Sequence, residues 1–303
     1  MSSLVIKRSI SLVTMPELLL LMVAIVWGTS YGLTKSAIAF TSISLFIAIR
    51  FGLTFLLLLP LVIKDFKQGK SRDWKVALPT GAILALIFFF EVYGVSQTTA
   101  SNAAFLISLN VIFTALVDSL LSKNKPSQSL MLLSVLSTVG VLLLTYHNDL
   151  GISLNSGDLC ILAAAALRAL MVTMTKKLTD KKQITNTALT CIQALVVAVS
   201  AYLVGSLVAQ EPVANIPLNR EFWLITIFLV MFCTLFAFYA QNYAVRKISP
   251  TKASLLMGSE PLFGALFSML WLNESLTNIQ WLGAAILLLS VLLASVNKHE
   301  KAD

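Results

Sequence analysis

The chain has 303 residues, 57% of them hydrophobic and only 12% charged, with mean hydropathy +0.86 and a formal net charge of +8. A soluble domain carries about a quarter charged residues. Here the apolar residues fall in long blocks rather than amphipathic stripes, which excludes a soluble globule and places the chain in the helical membrane class.

Ten apolar spans of about 20 residues can be drawn, at 17–35, 42–63, 75–97, 101–121, 130–146, 157–175, 187–209, 222–243, 253–272 and 278–296. The expected fold is an all-α integral membrane protein. Lys7 and Arg8 precede the first span, but no small-residue cleavage site follows, so it reads as an uncleaved first helix. Lys64, Lys67, Lys70, Arg72 and Lys75 follow the second span, Lys123 and Lys125 the fourth, Lys176, Lys177, Lys181 and Lys182 the sixth, and Arg246, Lys247 and Lys252 the eighth. With Lys298 and Lys301 in the tail, these lie on one side, opposed only by Lys35 and Arg220. Such a bias predicts cytoplasmic N- and C-termini in the inner (plasma) membrane, and it explains the net charge without nucleic acid. Connections are short, and no Walker A, HExxH or GxSxG motif occurs, which argues against an ATP-driven pump or an enzyme. Cys160, Cys191 and Cys233 lie singly in apolar runs, so no metal or other cofactor is expected. His147 and His299 sit at span ends.

Residues 93–143 and 243–293 align at a constant offset of 150, with Tyr93/Tyr243, Ala103/Ala253, Phe113/Phe263 and Leu120/Leu270 among the pairs. Earlier in each half, Trp27-Gly28 corresponds to Arg168-Ala169 and Lys35 to Lys176. The chain thus divides into two five-helix repeats, 1–150 and 151–303. Five is odd, so the second repeat enters the membrane from the opposite side, an arrangement that puts a substrate site near the midplane between the halves.

The ordered set Trp27-Gly28, Lys35 and Arg50, then Thr99-Ala100-Ser101-Asn102-Ala103-Ala104, then Ser259-Glu260-Pro261-Leu262-Phe263-Gly264-Ala265, Asn273-Glu274 and Trp281-Leu282-Gly283 resembles the EamA-like branch of the drug/metabolite transporter superfamily. The resemblance covers nearly the whole chain. It implies a ten-helix basket whose cavity is lined by the first, third, fourth, sixth, eighth and ninth helices, and export or exchange of small metabolites. Asn124, Arg168 and Glu91 depart from the usual family pattern.

Charges within apolar spans are expensive, by about 3 kcal/mol or more, and therefore mark candidate function. Arg50 and Glu91 are expected roughly 12 and 9 Å deep from one face, Arg168 and Glu260 roughly 10 Å from the other. Depth therefore predicts two pairs, Arg50–Glu91 and Arg168–Glu260. One reading has them facing a cavity; the other has them only locking helices together. On the first, the substrate-binding candidates are Trp27, Arg50, Glu91, Asn110 (the repeat partner of Glu260), Arg168, Tyr239, Gln241 and Glu260. Glu260 and Glu91 are also candidate proton carriers. Gly258 beside Glu260-Pro261 allows the ninth span to bend during alternating access, and Asn110-Val111 in the fourth lacks the matching proline, so the two halves are expected not to flex equally. A cavity with both signs of charge suits a zwitterion, so the expected activity is secondary transport of amino acids or related compounds by alternating access. Nucleoside-containing or vitamin-like metabolites and drug-like cations are the alternative cargo, and a channel is disfavoured by the inverted halves.

Overall fold

The computed structural model describes residues 14–121, 126–146, 155–208, 216–272 and 276–296, and every regular element among them is helical. Asn124, His147, Asn273, Glu274 and His299 lie outside the described residues. In chain order the helices are α1 (Met15–Gly28), α2 (Ser30–Ile38), α3 (Ile43–Lys67), α4 (Ala77–Gln97), α5 (Ala100–Ser108), α6 (Asn110–Leu121) and α7 (Gln128–Leu144). They continue as α8 (Ser156–Thr179), α9 (Asn186–Leu203), α10 (Arg220–Phe228), α11 (Ala237–Val245), α12 (Pro250–Met257), α13 (Glu260–Leu272) and α14 (Asn278–Val296). A π-helical stretch, Leu229–Phe236, joins α10 to α11 without a break.

Hydroxyl and amide side chains start these helices. Ser42, Thr99, Ser127, Thr185 and Ser249 each accept a first-turn backbone N–H, as does Asn155 from Asp158. Among the described residues, eight stretches are long and apolar enough to cross a bilayer. The expected fifth span corresponds to the shorter α7, and the ninth to the interrupted pair α12–α13. Apolar rows such as Leu18, Met22 and Ile25 on α1 and Leu56, Leu57 and Leu61 on α3 face outward, where hydrocarbon rather than water accommodates them.

Bonds between loops fix the direction of the helices. Asp73 accepts the Gln183 N–H (2.8 Å) and Asp65 accepts the Thr185 hydroxyl (2.5 Å), so the segments after α3 and after α8 lie at one end of the bundle. Lys35, at the end of α2, donates to the Thr98 carbonyl (2.7 Å), beside the start of α8 at the other end. Lys176, its repeat counterpart at the end of α8, donates to the Arg246 carbonyl (3.0 Å). The first helices of the two halves therefore run in opposite directions, and each closes with a lysine capping the C-terminus of α4 or of α11.

Both the fourth and the ninth segments are broken, at Leu109 and at Gly258-Ser259. The break in the fourth segment forms without a proline: Ser108 and Ser259 each donate a hydroxyl to the carbonyl three residues back, at 2.6 and 2.7 Å, and these bonds satisfy carbonyls at the breaks. Thr29 and Ser30 do the same between α1 and α2, at 2.8 Å each.

Candidate functional site

The site starts from a close crossing of α1 and α13. A Cβ on Gly28 would lie 2.8 Å from both the Glu260 carbonyl oxygen and the Gly264 nitrogen. Without one, the backbones touch, and Trp27 and Glu260 are brought to the same level. The Trp27 ring is buried against Phe238 (centroids 5.4 Å apart), and its Nε1–H donates to the Cys233 carbonyl at 2.8 Å. That carbonyl belongs to the π-helical stretch, where the regular hydrogen-bond ladder is displaced.

Arg168, at the middle of α8, reaches into this corner. Its Nη2 donates to Glu91 Oε2 at 2.9 Å and its Nη1 to Glu260 Oε1 at 3.2 Å, while its Cζ sits 4.9 Å from the centre of the Trp27 ring. The Tyr31 hydroxyl donates to the other Glu260 oxygen at 2.8 Å. One guanidinium thus bridges two carboxylates and stacks on an indole, a use of its planar fork that lysine cannot reproduce. Trp27 and Arg168 are repeat counterparts, so this contact lies where the two halves meet.

The expected Arg168–Glu260 contact is present, but the expected Arg50–Glu91 pair is not. Glu91 turns to Arg168, and Arg50 donates its Nε to the Thr234 hydroxyl at 2.7 Å with its Cζ 5.1 Å from the Phe88 ring centre. Depth misled because it took the end of each apolar run as the end of the helix. Helix α8 continues to Thr179, four residues beyond the drawn boundary and therefore about 6 Å, which moves Arg168 to mid-bundle within reach of Glu91. Thr234 is presented by the π-helical stretch, donating to the Leu229 carbonyl five residues back at 2.9 Å. Nothing in the apolar sequence LVMFCTLF announces that geometry.

A small cavity adjoins Arg168. It is lined by Trp27, Leu84, Phe88, Asn110, Phe238 and Gln241 among others, and its volume is about 20 Å³, room for about one water molecule. Asn110 is held by Ser254, whose hydroxyl donates to its Oδ1 at 2.8 Å. Gln241 is different: it is buried on the wall, and its Oε1 has no hydrogen-bond partner among the described residues. Its neighbours Gln193 and Asn242 form a closed network instead, Asn242 Nδ2 donating to Gln193 Oε1 (2.8 Å) and Thr190 (2.9 Å), and Gln193 Nε2 to Thr80 (2.9 Å). That network ties α4, α9 and α11 together. Tyr239, expected at the cavity, is 40% exposed on the outer face of α11, one residue out of phase with the inward positions Phe238 and Gln241.

Sequence reasoning missed a buried ion pair, Lys252 Nζ to Glu17 Oε1 at 2.5 Å. Glu17 fell on a span boundary, and Lys252 counted only as a topology charge. Tyr31 was also missed; its position one turn after Trp27 on the same side of the α1–α2 segment was the available signal.

A helical, multi-pass bundle of two opposed halves, with a charged cluster buried at their junction, defines a membrane transporter. The chain belongs to the EamA-like transporter family, whose model matches twice, at residues 14–146 and 155–296. An uncharacterized transporter of Archaeoglobus fulgidus is 25% identical over 281 residues, covering 92% of this chain and 85% of its own. The uncharacterized transporter YyaM of Bacillus subtilis is 25% identical over 289 residues, covering 92% of each. A solved crystal structure superposes with a TM-score of 0.76 over 92% of this chain and 96% of its own; at 15% identity it shows the common fold alone.

Proposed function

We propose that the chain is a ten-helix secondary transporter of the plasma membrane, with cytoplasmic termini, that moves amino acids or closely related zwitterions by alternating access. The observation that carries this reading is Arg168 held between Glu91 and Glu260 at the wall of a buried cavity. A zwitterion can exchange partners with such a cluster. Its carboxylate takes the place of one glutamate on Arg168, and its ammonium group takes the glutamate released. No buried charge is stranded. A simple anion would displace a glutamate and leave it unpaired, at several kcal/mol by the usual order of magnitude. The cluster holds one carboxylate more than it holds arginines, so Glu260 or Glu91 is the candidate carrier of a coupling proton. Gln241 and Asn110 offer amide groups to the cargo. Arg50, tied to Thr234, supports the aromatic wall formed by Phe88 rather than contacting cargo. The ring faces of Trp27, Phe88 and Phe238 favour a second reading, a nucleoside-like or vitamin-like cargo that stacks.

At about 20 Å³ the cavity is too small for any metabolite, so transport requires the halves to separate at one end and then at the other. Counterflow in proteoliposomes tests the substrate class. Vesicles preloaded with single amino acids should accumulate traces of the same labelled compound for one or a few members of the panel. Silence across the panel in folded protein would overturn the amino-acid assignment and leave the stacking cargo.

A further inference from the structure

The two halves are joined at both ends of the bundle by contacts that the repeat relates to each other. At one end, Glu17 near the start of α1 holds Lys252 near the start of α12. At the other, Asp158 near the start of α8 accepts from the Asn102 amide at 2.6 Å and from the Thr98 hydroxyl at 2.7 Å. Glu17 and Asp158 are separated by 141 residues, the offset that also relates Lys35 to Lys176, and Asn102 and Lys252 by the 150 residues of the later register. Both acids occupy the third position of their helices and accept the N–H of the cap residue, Thr14 at 2.6 Å and Asn155 at 3.1 Å. Both are nearly inaccessible, at 3% exposure each. Each contact crosses from one half to the other, and each sits at a mouth through which the cavity would have to open.

We propose that Glu17–Lys252 and Asp158–Asn102/Thr98 are matched latches that close the two ends of the carrier, each broken when its own end opens. This rests on the alternating-access reading above. Opening either mouth separates the first helix of one half from the fourth segment of the other, and those are the elements the latches join. Both latches are engaged here, in agreement with a cavity too small for cargo. The ends differ in chemistry: one latch is an ion pair, with Lys252 also donating to the Ser295 carbonyl at 3.4 Å, and the other is a carboxylate bound by neutral donors. A bilobed carrier with unlike latches has an intrinsic preference for which end opens.

The test reads that preference. Val172 lines the cavity. A single cysteine placed there, with Cys160, Cys191 and Cys233 replaced by alanine, would be labelled with a membrane-impermeant maleimide in right-side-out and inside-out vesicles. Glu17→Gln/Lys252→Met, which neutralises both members of one latch, should raise labelling from its own end and lower it from the other. A change of about fivefold or more in the ratio of the two rates is expected, the lower range of ordinary coupling between states. Thr98→Val/Asn102→Ala should move the ratio the opposite way. The charge swap Glu17→Lys/Lys252→Glu should return it toward the starting value, and its recovery guards against misfolding of the neutral variant. Opposed shifts support the latches. Parallel changes from both ends in all variants, as general loosening would give, overturn them. Labelling from neither end in any form would overturn alternating access itself, and the latches with it.

Discussion

Replacing Arg168 is the sharpest perturbation of the buried cluster. Arg168→Gln leaves Glu91 and Glu260 facing each other with side chains 10% and 3% exposed. Removing one member of such a buried set costs about 3–5 kcal/mol, because the remaining charge is uncompensated. Loss of the stacked guanidinium on Trp27 adds about 1–2 kcal/mol. Glu91→Gln is milder. Arg168 keeps Glu260, and the loss is that of a hydrogen bond to charged groups, about 1.5–3 kcal/mol. In Glu91→Gln/Arg168→Gln only Glu260 remains as a carboxyl group in the cluster, and Tyr31 still bonds to it. The double variant should therefore be more stable than the sum of the single losses implies, by about 1 kcal/mol or more. Thermal unfolding in detergent reads this. At about 2 °C per kcal/mol for a long chain, the charge term alone lowers the midpoint of Arg168→Gln by roughly 6–10 °C. Strict additivity of the two single shifts would refute the bridging role given to Arg168.

Gly28→Ala should weaken the α1–α13 crossing by about 1–3 kcal/mol, the usual cost of overpacking, and abolish transport, whereas Gly32→Ala, with no heavy atom within 4 Å of a new Cβ, should leave both the unfolding midpoint and flux unchanged. Gln241→Leu should separate stability from function. It removes a buried acceptor without a partner, so the midpoint should hold or rise while counterflow falls; parallel loss of both would assign Gln241 to packing.

Eight of the spans and the repeat were legible in the sequence because lipid demands long apolar helices, and because the register of 150 survives without a gap. The site was only partly legible. Arg168 and Glu260 stood out as charges in apolar runs, and their contact followed from depth. Glu91 was found as a residue but assigned to Arg50, since an apolar run does not mark where a helix ends once its last turn carries lysines, as α8 does at Lys176 and Lys177. Tyr239 was placed by its neighbours in sequence rather than by its phase on the helix. The break at Leu109 went unread because proline draws attention and serine does not. Glu17 and Lys252 were hidden in plain composition; carrying the repeat offset from Asp158 and Asn102 back to them would have exposed the pair.

Binding of the cargo at the Glu91–Arg168–Glu260 cluster, as proposed, is read by ligand-induced stabilisation with the amino acid that gives counterflow. A ligand at 100 times its Kd raises the stability of the form it binds by about 2.7 kcal/mol. Wild-type protein should show a clear rise in unfolding midpoint with that amino acid, and folded Glu260→Gln should show none. An equal rise in both proteins would contradict the account and place the cargo elsewhere in the bundle.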